Sequence, residues 1–203
     1  LKAVPDSSIL ILVGDVNQLP SVGAGNILGD IISSGLFPVV QLDTIFRQAR
    51  RSRIIVNAHR INKGYFPDIS RDENSDFFFI EKEEPEDAVN VIVELVQHRV
   101  QKKFGFDPVN DIQVLTPMHK GIAGASNLNQ VLRNTLNPGK NGVQRGISEF
   151  CEGDKVMQIR NNYDKTVFNG DIGRICRIDF DNQAVTISFG SREVEYEFSS
   201  LDE

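Results

Sequence analysis

Residues 9–25 read Ile9-Leu10-Ile11-Leu12-Val13-Gly14-Asp15-Val16-Asn17-Gln18-Leu19-Pro20-Ser21-Val22-Gly23-Ala24-Gly25. The five consecutive apolar residues Ile9 to Val13 predict a strand buried on both faces, of the kind found in the middle of a parallel sheet covered by helices. Gly14 ends it. In open α/β sheets ligands sit just beyond the carboxyl ends of strands, so Gly14, Asp15 and Gln18 fall where a nucleotide would be held. The Gln18 amide suits that place, because it donates to a phosphate oxygen and accepts from a water without adding a charge. Gly23-x-Gly25 has no third glycine at position 28, which excludes a dinucleotide fingerprint. A bare Gly-Asp after a strand is equally well explained as an ordinary strand, loop and helix.

Moving outward, the 203 residues allow one or two domains, and 40 % hydrophobic with 25 % charged residues is a globular composition. No apolar run reaches membrane-spanning length, and the start shows neither a basic region nor a cleavage site. Cys151 and Cys176 occur in no metal-ligand spacing and read as ordinary reduced thiols, which predicts a cytoplasmic protein without a membrane partner. The net charge of −6 argues mildly against nucleic acid, yet its distribution is uneven. Arg47, Arg50, Arg51, Arg53, Arg60 and Lys63 lie between Asp43 and Asp68 with no acid among them. Lys120, Arg133, Lys140 and Arg145 do the same between Asp111 and Glu149. These stretches are candidates for phosphate contact, or solvated helix faces.

Ile27, Leu28, Ile31, Ile32 and Leu36 predict a helix capped by Asn26 and stopped near Gly35. Val39 to Leu42 reads as a short buried strand. A helix follows from Ser52 to Lys63, with Ile54, Ile55, Ala58 and Ile61 inward and Gly64 at its end. Phe77 to Ile80 is another apolar strand. Glu83 to Val100 carries the clearest helix signals: Pro85 in the first turn, acids at the positive end, His98, Arg99, Lys102 and Lys103 at the other, and a stripe of Ala88, Val91, Ile92, Leu95 and Val96. Gly105 closes it, and Asp111 to Leu115 begins the next strand. Strand, helix, strand at this spacing requires a crossover and a parallel sheet. Beyond the loop at 137–142 the period changes to two: Lys155 to Ile159, then Val185, Ile187, Phe189 and Val194, Tyr196, Phe198, with turns at Asp181-Asn182 and Gly190-Ser191. Asn169-Gly170 is itself a hairpin signal.

Gly14 to Gly25 resembles motif III (Gly-Asp-x-x-Gln-Leu-Pro-x-Val) of superfamily 1 helicases, and its Val-Gly-x-Gly continuation is most similar to the RecD branch, the exodeoxyribonuclease V alpha subunit and its stand-alone relatives. Phe46-Arg47-Gln48 resembles motif IV, Pro117-Met118-His119-Lys120-Gly121 a Pro-Met-x-x-Gly segment with its following helix at Leu128-Asn129 and Leu136-Asn137-Pro138, and Val167 to Gly173 motif V. The matches cover residues 9–178 in the family's order. That resemblance implies an α/β fold in which a RecA-like P-loop helicase lobe, a parallel sheet with helices on both faces, is followed by a small SH3-like β-barrel insertion. Residues 1–36 would be the end of a first lobe, 37–150 the second lobe, and 151–203 its last strands leading into the barrel.

The implied activity is an ATP-dependent 5′–3′ DNA helicase of recombination and repair, using ATP and magnesium and moving on single-stranded DNA, alone or with other nuclease or helicase subunits. Gln18 and Arg47 would be its catalytic pair, Arg47 reaching the γ-phosphate because guanidinium is always charged and forks onto phosphate oxygens. Gly14 and Asp15 would join them around the nucleotide. Thr116, His119 and Lys120, with Asn169 and Asp171 of motif V, would contact DNA without reading its sequence. No G-x-x-x-x-G-K-[ST] loop occurs in the chain, so the expectation is an internal or C-terminal piece of a longer helicase that does not hydrolyse ATP by itself. The alternatives are an RNA-unwinding relative and a non-catalytic nucleic-acid-binding module.

Overall fold

The computed structural model describes residues 4–5, 7–18, 25–42, 52–70, 72, 74–139, 142–146 and 148–202. They fall into two units, Leu1–Ile80 and Glu81–Glu203. Among the described residues no helix is long and apolar enough to cross a membrane.

The first unit contains α1 (Ile27–Ser33) and α2 (Arg53–Asn62). Helix α1 starts after Asn26, as the sequence predicts, and Gly35 ends it with φ of 65°. Leu28, Ile31 and Ile32 are half-buried. Helix α2 is capped twice. Ser52 accepts from the Ile55 amide at 3.3 Å, and the Asp76 carboxylate accepts from the Arg53 amide at 2.7 Å and the Ile54 amide at 3.2 Å, satisfying donors that every helix start leaves open. The expected inward stripe is corrected here: Ile54 and Ile61 are exposed, and the buried side chain of α2 is Asn57. Its amide donates to the Asp68 carbonyl at 3.0 Å and accepts from the Asp68 amide at 2.7 Å, so a polar bracket, not an apolar stripe, holds the segment after the helix.

The segments predicted as strands at 9–13, 39–42 and 77–80 form none, and the first unit has no strand among its described residues. Ile9 is 90 % exposed and Val13 92 %. A strand buried on both faces depends on ladder partners at both edges and helices above and below, all non-local; no strand flanks these segments among the described residues of this unit. The same holds for 112–115 in the second unit, where side chains alternate half-buried and exposed without a neighbouring strand. The parallel sheet expected from the sequence is therefore not part of the described structure.

The second unit opens with α3 (Pro85–Glu94), continues through a π-helical turn at Leu95–Arg99 and ends in α4 (Val100–Phe104). Pro85 occupies the first turn and Gly105 takes the left-handed conformation at the C-terminus, with φ of 77°. Val89 and Val96 are the buried residues, with Ala88, Val91, Ile92 and Leu95 half-buried beside them. Helix α5 (Ala125–Leu136) packs on α3 and buries Leu128.

A hairpin of β1 (Gly142–Arg145) and β2 (Ser148–Cys151) precedes a four-stranded antiparallel meander of β3 (Lys155–Met157), β4 (Ile172–Asp179), β5 (Ala184–Phe189) and β6 (Arg192–Glu197). The period-two reading of 185–198 holds: Val185 faces Tyr196 and Ile187 faces Val194. Val143, Ile175, Ile178, Val185, Ile187 and Tyr196 form the core, with Val143 and Phe150 bringing the hairpin onto the sheet. A Cβ at Gly142 would lie 2.7 Å from the Phe150 carbonyl oxygen, so the hairpin closes only on glycine there.

Candidate nucleotide-sensing and nucleic-acid-binding segments

The chain after residue 13 folds into a short turn. The Asp15 carboxylate accepts from the Asn17 amide at 2.9 Å and from the Gln18 side-chain amide at 3.3 Å, and the Gln18 backbone N–H donates to the Asp15 carbonyl at 3.3 Å. A short acidic side chain bonding the backbone two residues on is what aspartate does in turns. Gln18 is thus exposed with its amide oxygen unengaged by Asp15, and Asp15 serves as its orienting partner. Gly14 lies against α1: a Cβ there would meet Leu28 Cδ2 at 2.7 Å. The turn and the helix are therefore joined through the one residue that lacks a side chain. Arg47 lies outside the described residues.

In the second unit, residues 116–124 wrap onto the start of α5. The Thr116 hydroxyl donates to the Ala123 carbonyl at 2.8 Å, closing the loop. The Ala125 amide donates to the Met118 carbonyl at 2.9 Å and the Ser126 amide to the His119 carbonyl at 3.2 Å. Gly124 is buried, and a Cβ on it would stand 2.5 Å from the Lys120 carbonyl oxygen. This backbone framework presents His119 and Lys120 to solvent. Thr116 has committed its only hydroxyl proton to Ala123, which leaves it an acceptor and makes it a poor donor to phosphate.

Asn169 and Asp171 lie on a third segment, the long connection from β3 to β4. Gln158 pairs with it at both ends: its N–H donates to the Asp171 carbonyl and its C=O accepts from the Gly170 amide, both at 2.9 Å. The Asp171 carboxylate accepts from the Phe168 amide at 2.8 Å, and the Asn169 amide donates to Asn161 Oδ1 at 3.0 Å. Gly170 has φ of 96°. Asn169-Gly170 is a turn, as its composition predicts, but not the tip of the hairpin. The tip is at 163–166, where Asn162 and Val167 exchange both backbone hydrogen bonds and the Thr166 amide donates to the Tyr163 carbonyl at 3.2 Å.

Several residues that hold these segments carry weak sequence signals. Arg133 on α5 donates to Cys151 Sγ at 3.1 Å and pairs with Glu149 at 2.5 Å. Burial works against its charge, but the bond to Glu149 prevails and raises its pKa. Asn137, just past α5, donates to Asp154 Oδ1 at 2.7 Å, while Asp154 Oδ2 accepts from the Cys151 amide at 2.8 Å. This polar junction joins α5 to the β-rich part. Gln158, 4 % exposed, accepts from the Tyr196 hydroxyl at 2.9 Å. Only the alternating acids and apolar residues around these positions are visible in the sequence, and they do not show which polar groups turn inward.

Comparison with known proteins bears on all three segments. Residues 1–78 match the family described as AAA domain, and residues 128–189 match that described as ATP-dependent RecD-like DNA helicase SH3 domain. A relative, the ATP-dependent RecD2 DNA helicase of Deinococcus radiodurans, is 32 % identical over 195 residues, which is 93 % of this chain and 26 % of the relative. The chain thus spans about a quarter of the length of the relative it matches. The two family matches lie in the order that the motifs predict, and the antiparallel strands 142–197 fall largely within the second. The turn at Asp15–Gln18, the loop at 116–124 and the segment at 158–171 are accordingly parts of a chain that belongs to the RecD-like helicase family.

Proposed function

We propose that this chain works within an ATP-dependent 5′–3′ DNA helicase, as an ATP-hydrolysing motor acting on single-stranded DNA in recombination or repair. The observation that carries this reading is the match to a RecD-like helicase along 93 % of the chain. In it, 1–36 belong to a first RecA-like lobe, 37–150 to a second lobe built on a parallel sheet, and 151–203 to the SH3-like insertion. Two free cysteines accord with a reducing, cytoplasmic setting.

The donor set here fits a sensor of nucleotide rather than a complete nucleotide cradle. Among the described residues no cluster of His, Cys, Asp or Glu could hold a metal ion, and the Asp15 carboxylate is engaged by Asn17 and Gln18. ATP with its magnesium supplies the phosphoryl-transfer chemistry when bound, held by a phosphate-binding loop that the 203 residues do not include. Gln18, oriented by Asp15 beside Gly14, hydrogen-bonds at the terminal phosphate. Arg47 stabilises the charge that develops there, the role a guanidinium fills best. His119 and Lys120 hold the DNA backbone, with Thr116 closing their loop. Asp171 is a positioning residue, since a carboxylate repels phosphate; its bond to Phe168 shapes the turn that presents Asn169.

The test is ATP turnover by the full-length protein in the presence of single-stranded DNA. Gln18→Ala and Arg47→Ala should each reduce it by at least ~10²-fold, as for loss of a transition-state donor. Unchanged turnover in both variants overturns the assignment.

A further inference from the structure

Asn169 and Gly170 are the middle of a turn closed by the Asp171 amide, which donates to the Phe168 carbonyl at 2.9 Å. The φ of 96° at Gly170 lies in the left-handed region that a side chain disfavours, so the turn requires glycine there, and asparagine is a common turn residue before it. The fold is thereby committed to Asn-Gly, the pair in which no Cβ hinders attack of the second residue's nitrogen on the asparagine amide carbon. Asn169 is exposed, and its side-chain amide has no hydrogen-bond partner among the described residues. Nothing stands within 4 Å of where a Cβ on Gly170 would be, which leaves room for a ring to close.

What opposes closure is a set of hydrogen bonds to the turn. The Gly170 nitrogen must lose its proton and rotate toward Asn169 Cγ, and it can do neither while its N–H points at the Gln158 carbonyl, 2.9 Å away. A second bond doubles the hold, from the Gln158 N–H to the Asp171 carbonyl at 2.9 Å. On the other side Asn161 Oδ1 accepts from the Asn169 amide at 3.0 Å and restrains the residue that would carry the electrophile. Gln158 is itself anchored, 4 % exposed and bonded to the Tyr196 hydroxyl. An exposed, reactive pair is thus fastened to a buried residue, and the reaction must wait for the turn to open locally.

We infer that Asn169 is a site of spontaneous deamidation, held in check by the hydrogen bonds that Gln158 and Asn161 make to its turn. The bond from the Gly170 nitrogen to Asn169 Cγ forms as the Cγ–Nδ2 bond breaks, and Nδ2 leaves as ammonia with the proton that the Gly170 amide gives up. Water then opens the succinimide at either carbonyl, giving aspartate or isoaspartate with no change of oxidation state. Isoaspartate lengthens the main chain by one carbon, so the bonds from Gln158 to both 170 and 171 cannot re-form in register. The helicase reading plays no part in this inference, and ATP turnover is not among its readouts.

The test is incubation of the full-length protein at mildly alkaline pH, followed by trypsin and mass spectrometry. Cleavage after Lys165 and Arg174 isolates Asn169 in the peptide 166–174, while the other Asn-Gly pair of the chain falls in 141–145. A synthetic peptide of residues 166–174 in the same buffer gives the rate with no fold around it. Asn169 should convert roughly tenfold or more slowly in the protein than in that peptide, for a turn held by two backbone hydrogen bonds. Asn161→Ala should raise the rate in the protein about fivefold, the loss of one further bond, whereas Asn161→Asp keeps an acceptor oxygen and should stay near the parent. Hydrogen exchange in β5 and β6 should match between parent and Asn161→Ala, which shows that the opening is local. Equal rates in protein and peptide, a parent-like rate in Asn161→Ala, or a peptide that does not convert overturns the inference.

Discussion

The Tyr196 hydroxyl donates to Oε1 of Gln158 at 2.9 Å inside the β-rich part of the second unit, where Tyr196 is 2 % exposed. Through Gln158 the same bond reaches the backbone of Gly170 and Asp171, so a core residue of β6 sets the position of the turn at 168–171. Nε2 of Gln158 is buried without a hydrogen-bond partner, which makes the amide dependent on Tyr196. Tyr196→Phe should destabilise this unit by about 1–3 kcal/mol, the cost of leaving a buried acceptor unpaired. Gln158→Leu combined with Tyr196→Phe should be less destabilising than Tyr196→Phe alone, because no stranded polar group remains. Urea unfolding of the two variants measures the difference; a double variant no more stable than Tyr196→Phe refutes the pairing.

Asn57 supports a second prediction. Its two hydrogen bonds to the Asp68 backbone tie α2 to the segment at 65–76, and Arg60 Nε adds a bond to the Phe66 carbonyl at 2.9 Å. Asn57→Ala should cost roughly 2 kcal/mol, for two net hydrogen bonds. Asn57→Asp should cost more, because it sets a carboxylate oxygen against the Asp68 carbonyl. Hydrogen exchange at the amides of 66–76 should accelerate in both variants, while exchange within β4–β6 stays unchanged.

These contacts also show what a sequence can and cannot disclose. Pro85 and Gly105 mark helix ends because their own backbone preferences act locally, and both stand where the reading places them. Val185, Ile187, Val194 and Tyr196 alternate because each strand of a meander meets its neighbour through a short turn. The run Ile9 to Val13 is as apolar as any strand, yet its burial depends on partners distant in sequence, and among the described residues it forms no strand. Likewise Ile54 and Ile61 have helical spacing, but the groups that reach α2 are polar, the Asp68 backbone, Ser70 and the Asp72 and Asp76 carboxylates, so Asn57 is buried instead. Of the candidate site, the Asp15–Gln18 spacing is itself a turn and could be read directly. The commitment of Thr116 to Ala123 could not, since it depends on how the loop folds back on α5.

The acid cap of α2 gives a pH dependence. A hydrogen bond from Ser52, then the Arg53 and Ile54 amides, hold the Asp76 carboxyl below its ordinary value of 3.8, and the Ser70 hydroxyl does the same for Asp68. A folded-state pKa below the unfolded one gives a contribution that is complete above the unfolded value and disappears as pH falls through the folded value. The helix should therefore keep its cap throughout the neutral range and lose it only below 3.8. Asp76→Asn should destabilise α2 at neutral pH and make no difference at the acid extreme, where the parent carboxyl is protonated too. Helical circular dichroism against pH, parent and variant together, reads the convergence; curves that stay parallel to the lowest pH refute it.

Gly124 is a position where stability and presentation of His119 and Lys120 are linked. A Cβ there would collide with the Lys120 carbonyl, a backbone atom that cannot swing aside as a side chain can. Gly124→Ala should cost about 1–3 kcal/mol, as overpacking does, and displace residues 119–121. On the helicase reading it should also weaken single-stranded DNA binding, whereas Gly139→Ala, with open space around its Cβ, should pay only for its positive φ and leave binding intact. Equal DNA affinity in parent and Gly124→Ala separates the loop from DNA recognition.

The two thiols differ in environment enough to report on folding. Cys176 is exposed, while Cys151, at the end of β2 against Arg133 of α5, is 1 % exposed. Burial pushes the Cys151 thiol up and Asp154 raises it further, against the opposing pull of Arg133. Since the thiolate is the reactive form, both access and ionisation disfavour Cys151. A disulfide reagent at mildly alkaline pH should modify Cys176 at once and Cys151 on the order of 10³ times more slowly or less, at the rate set by opening of the hairpin and α5 junction. Cys176→Ser should remove the fast phase alone. Arg133→Met should speed the slow phase, because it releases the bond to Cys151 and the pairing with Glu149 that close α5 over the hairpin. In denaturant the two cysteines should become equivalent. Two equally fast thiols in the native chain would show that α5 does not seal the β-rich part.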